Sequence, residues 1–74
     1  MSVNITDEQR RSIELRIEKW RGEFDAYRFG GQISLAMQVG NWLFGLQIGL
    51  DMLGLNDLAK FAEDAQKATL QENP

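Results

Sequence analysis

Between Met1 and Gly30 the apolar positions Ile13, Ile17, Trp20, Phe24 and Tyr27 recur at spacings of four, three, four and three. At 3.6 residues per turn they fall within roughly 60–80° of arc, the narrow stripe of a helix with one buried face. Thr6 followed by Asp7, Glu8 and Gln9 reads as a capping box, with acids at the positive end of the helix dipole. The remaining faces are charged, with Arg10–Glu14, Lys19–Glu23 and Arg21–Asp25 spaced as helical neighbours. A first helix over 7–29 follows. Gly22 inside it costs about 1 kcal/mol relative to Ala and marks a close contact or nothing.

Gly30–Gly31 is the expected break. Continued without interruption, the stripe would next reach Gly31, Ser34, Gln38, Asn41 and Gly45, all small or polar. The apolar phase therefore changes here, as it does when two helices are oriented separately.

The second helix is expected over 32–53. One stripe runs through Leu35, Val39, Trp42, Leu46, Leu50 and Leu53. A second apolar set, Ile33, Met37, Phe44, Ile48 and Leu55, lies well over 100° around the cylinder. Opposite the leucine stripe runs a thin band of Ser34, Gln38, Asn41, Gly45 and Gly49. A helix apolar on two sides has to be covered on two sides. Gly40–Asn41 offers an alternative reading, in which one short helix ends and another is capped.

Gly54 is a natural stop, and Asn56 is expected to cap a third helix over 57–69. Its inner face reads Leu58, Phe61, Ala65 and Ala68, with Ala62 beside them. Residues 70–74 are expected to form a flexible tail. The expected architecture is one all-α domain over 1–74: a long first helix, a central apolar helix and a short C-terminal helix. With so little chain to cover the central helix, a homodimer or higher helical oligomer is expected.

Composition sharpens that expectation. At 74 residues a chain buries only about 60% of the surface its unfolded form exposes, so small domains lean on disulfides, metals or association. This chain has no cysteine and no histidine. Disulfides are excluded and a structural zinc site is disfavoured, which leaves packing and association. The net charge of −3 and a pI near 4.7 disfavour nucleic-acid binding, which depends on neutralising phosphates. Charge is uneven: the segment through Gly30 is balanced, Gly31–Leu55 carries only Asp51, and the remainder is acidic. Met1–Glu8 lacks the basic and apolar regions of a signal peptide, so a cytoplasmic location is expected.

The most suggestive motif is Gly45-x-x-x-Gly49, preceded by Ala36-x-x-x-Gly40, a spacing that lets helix backbones approach closely. The central helix is long enough to span a bilayer, yet Gln32, Ser34, Gln38, Asn41, Gln47 and Asp51 fall inside it. Asp alone costs about 2.5–3.5 kcal/mol near the bilayer centre, so a membrane-associated helix ranks as the second alternative. Catalysis finds little support. A general base would have to be a carboxylate, lysine or tyrosine, and nothing gathers such groups. The glycines are not followed by the Lys-Ser/Thr of a phosphate loop. No catalytic residue, cofactor or metal is expected.

Arg10, Arg11, Arg16, Arg21 and Arg28, with Trp20, Tyr27 and Phe29, suggest an anion surface. Trp20 and Tyr27 belong to the buried stripe, and acids intervene. A helix-turn-helix reader is allowed by topology, but the second helix is too apolar for a groove, so duplex binding is not expected. An oligomer sequestering a small anionic ligand such as a nucleotide is the first alternative. The leading expectation is a non-enzymatic helical interaction protein that self-associates and regulates or inhibits another protein, a role common among small bacterial and phage helical proteins. The expected oligomer interface is Leu35, Val39, Trp42, Leu46, Gly49, Leu50 and Leu53. The candidate face for a different protein partner is Arg11, Leu15, Glu18, Gly22 and Phe29, on the outer side of the first helix.

Overall fold

The computed structural model describes the backbone of residues 4–71 and the side chains of residues 4–66. Helix α1 spans Asp7–Phe29, α2 spans Ile33–Met52 and α3 spans Asn56–Gln71, with no strand among the described residues. Each helix packs on both others. The molecule measures 40 × 20 × 19 Å, its long axis matching the ~35 Å rise of a 23-residue helix.

The start of α1 is the capping box that its sequence calls for. The Gln9 N–H donates to Thr6 Oγ1 at 3.0 Å, and the Thr6 N–H donates to Gln9 Oε1 at 2.9 Å. Two otherwise orphaned backbone donors are satisfied reciprocally.

The two turns are built alike. At the first, the Gln32 N–H reaches Tyr27 O at 2.8 Å and the Gly31 N–H reaches Arg28 O at 3.2 Å, with Gly31 at φ 79°. At the second, the Leu55 N–H reaches Leu50 O at 2.9 Å and the Gly54 N–H reaches Asp51 O at 3.0 Å, with Gly54 at φ 80°. Both are Schellman motifs, with glycine at the left-handed position. In the second the apolar pair flanking the turn, Leu50 and Leu55, lies in the core. Gly54→Ala places a Cβ in a left-handed conformation and is expected to cost about 1 kcal/mol, read as a lower urea midpoint with an unchanged slope.

Two sequence expectations shift here. The Ala59 N–H donates to Leu55 O at 2.9 Å, so Leu55 rather than Asn56 is the N-cap of α3. Helix α3 also runs beyond Thr69 to Gln71, while the end of the expected tail, 72–74, lies outside the described residues, as does the Ala68 side chain. No break occurs at Gly40–Asn41; α2 is continuous. Gly40 faces the Phe24 ring, where an added Cβ would sit 3.7 Å from Cζ.

The core joins Ile17 of α1, Leu43 and Leu50 of α2, Leu55, and Leu58, Ala59, Ala62 and Ala65 of α3. Ile13, Trp20 and Phe24 close its α1 side. The alanine face of α3 gives little area but lets α2 approach closely. Gln47 of α2 also turns toward α3, where its Oε1 accepts a 2.9 Å hydrogen bond from Gln66 Nε2. At the other end Arg10 of α1 pairs with Asp57 in the first turn of α3.

Candidate docking surface on the second helix

The face of α2 that enters the core is Ala36, Val39, Leu43 and Leu50. Placed on a helical wheel at 100° per residue, these centre on Leu43, and Leu35, Trp42 and Leu53 fall some 80–100° to one side. The expected interface stripe is therefore divided by the fold. Val39 and Leu50 are 2% and 4% exposed, turned into their own chain. Leu46 and Gly49 are half-buried at the border. Leu35, Trp42 and Leu53 are exposed.

The opposite flank carries Ile33, Met37, Phe44 and Ile48, exposed as well, whereas Leu55 of the same apolar set turns inward. Between the flanks runs a crest of Ser34, Gln38, Asn41 and Gly45, exposed along its length and ending at Met52. Including Met52, the large apolar side chains of this surface are between 41% and 79% exposed. No charge falls on α2 before Asp51. Scattered exposed apolar residues are ordinary, but two exposed apolar flanks on one helix, separated only by an uncharged crest, mark a candidate interaction site.

Two grooves flank Asn41. One, of about 570 Å³, is lined by Trp20, Asn41, Trp42, Gly45 and Leu46. Its floor holds the two indoles, centroids 5.7 Å apart and tilted by 48°, with the Arg16 guanidinium 5.9 Å from the Trp20 ring. The other, of about 300 Å³, runs between Phe24, Met37 and Phe44. Gly45 and Gly49 have nothing within 4 Å of where a Cβ would stand. Each costs about 1 kcal/mol of helix propensity relative to alanine, and no contact inside the chain requires either.

The candidate partner strip on α1 is also on the surface. Leu15 is half exposed and Phe29 protrudes beside the first turn, while Glu18 and Gly22 are exposed. Arg11 does not stand free: it pairs with Glu14 at 3.6 Å. That pairing corrects the expected Arg10–Glu14 contact, since Arg10 reaches across to Asp57 instead. The Trp20 ring belongs to the α1–α2 contact, and Arg16 lies over it, so these arginines are spread over different partners rather than gathered around one anion position.

Among the described residues no group of three or more acidic, His or Cys side chains is placed to hold a metal ion. Among them, too, no helix is long and apolar enough to cross a membrane. Residues that sequence reasoning missed are Leu43 and Ala36, the centre of the buried face of α2, and Ala59 on α3. Compared with family models, curated proteins and solved structures, the chain matches none.

Proposed function

We propose that this chain is a non-enzymatic interaction protein that self-associates through the outer face of α2 and regulates or inhibits another protein. The observation that carries the reading is the exposed apolar surface of α2, free of charge before Asp51 and left uncovered after both neighbouring helices have packed against the helix. Apolar burial is the dominant driving force for association, and each such side chain gains roughly 1.5–3 kcal/mol on full burial. A surface of this kind is costly in water and is accounted for when a partner covers it. The α1 strip around Leu15, Glu18 and Gly22 lies on a different helix and stays available to a different protein. Sequestration of an anionic ligand has weaker support, because Arg10, Arg11 and Arg16 are already engaged with Asp57, Glu14 and Trp20.

The two tryptophans report on this surface, since both line the same groove. Raising the protein from about 0.1 μM to about 100 μM, a range that brackets a micromolar dissociation constant, is expected to shift their emission to the blue as Trp42 leaves water. Emission that stays constant over that range contradicts self-association through this face.

A further inference from the structure

We infer that the partner on α2 is a second copy of the chain, with the two α2 helices running antiparallel and crossing between Asn41 and Gly45. The inference rests on the self-association reading above and adds the orientation and the crossing point to it. Three observations carry it.

The first is electrostatic. The N-terminus of α2 is bare: Gln32 makes no side-chain capping hydrogen bond, and the first turn holds no acid. Its C-terminal turn holds no basic residue and instead carries Asp51, an acid at the negative end of the dipole. Among the described residues Asp51 makes no ion pair. Both ends are thus mismatched within one chain. Two antiparallel copies correct both at once. Asp51 and Ile33 lie on the same flank at opposite ends of the helix, so a two-fold axis midway brings each Asp51 beside the other copy's bare N-terminal turn. Parallel copies would instead set like helix ends side by side and correct neither mismatch.

The second is the shape of the crest. About a midpoint near Leu43, Asn41 falls opposite Gly45 and Ser34 opposite Met52 of the other copy. This is the self-complementary pairing that a two-fold contact requires. Gly45 has open space where a side chain would stand, so the other backbone can approach there. Trp42, one residue from the midpoint, meets the other copy's Trp42 at the edge of the crossing.

The third is size. The large apolar side chains of the two flanks, with Met52, stand between 41% and 79% exposed along the helix, apolar surface enough for the ~800 Å² that each partner contributes to a standard stable interface.

The chain has no cysteine, so introduced thiols test the orientation directly. Ser34 and Met52 are both exposed, and Ser34→Cys and Met52→Cys leave the core untouched. They are separated by about 27 Å along α2, far beyond the roughly 4.4–6.8 Å between Cα atoms that a disulfide spans. Mixed and treated with an oxidant, the two variants are expected to give predominantly the heterodimeric disulfide, with little of either homodimer. A Ser34→Cys homodimer as the main product means parallel helices and overturns the orientation while leaving self-association intact. Dimers that sediment at twice the chain mass without forming the mixed disulfide overturn it equally. A chain that sediments as a monomer at about 100 μM defeats the self-association reading itself, and this inference with it.

Discussion

Gly45→Glu is expected to reduce self-association at least ~100-fold while leaving the folded chain as stable as before or slightly more so. The two effects separate because Gly45 has nothing within 4 Å of an added Cβ, so a longer side chain extends into solvent without displacing any neighbour. Glu is also a better helix former than Gly by about 0.5 kcal/mol or more, which favours the folded monomer. At the proposed interface the same carboxylate is pressed against the other copy's uncharged crest near Asn41, with no cation to pair with. Desolvating it without a partner costs several kcal/mol, and roughly 3 kcal/mol already corresponds to about 100-fold in dissociation constant. The prediction is read from two measurements on one sample: a concentration-dependent mass, and a melting curve taken where the chain is monomeric. A variant that associates like the parent protein places the contact elsewhere. Loss of helical content in the monomer would instead mean that Gly45 is needed by the fold.

The second large effect lies on the other side of the same helix. Leu43 is fully buried between Ile17 and the alanine face of α3. Leu43→Ala is expected to destabilise the chain by about 3–5 kcal/mol, the upper part of the range for buried leucines. Ala59, Ala62 and Ala65 have no side-chain length with which to fill the space, so the cavity collapses poorly. For a domain this small, each kcal/mol moves the melting temperature by roughly 4–8 °C, which puts the expected drop at about 12 °C or more. Circular dichroism on dilute protein reads it directly. A drop of only a few degrees would mean that Leu43 is not the centre of the core.

The contrast between Gly45 and Leu43 shows what a sequence reading can and cannot resolve here. The three helices, both turns and the cap at Thr6 were legible, because each depends on local chemistry: side-chain oxygens at Thr6 and Gln9, and glycine at a left-handed position at Gly31 and Gly54. The inner stripe of α1 was legible for a related reason, since its charged faces leave only one side to bury. The phase of α2 was not. Apolar residues lie nearly all round this helix, so its pattern selects no single face, and the stripe read through Leu35, Trp42 and Leu53 passes Leu43 by. The choice is made by tertiary packing. Leu43 and Leu50 join Ile17 and the alanines of α3 in one core, and Gln47 finds Gln66, leaving Trp42 to close against Trp20 at the rim. Of the expected interface residues, Val39 and Leu50 are consequently inward, while Leu35, Trp42 and Leu53 remain on the candidate surface. The exposed face was foreseeable as a surplus of apolar area, but its position around the helix was not.

On the proposed reading, the outer face of α2 joins two copies of the chain. Sedimentation equilibrium of the parent protein and of Gly45→Glu, at matched concentrations up to about 100 μM, tests that claim most directly. The expected parent species has twice the 8.4 kDa chain mass and dissociates on dilution, and Gly45→Glu stays at the mass of one chain throughout. A parent protein that sediments as a single chain at every concentration would contradict that reading.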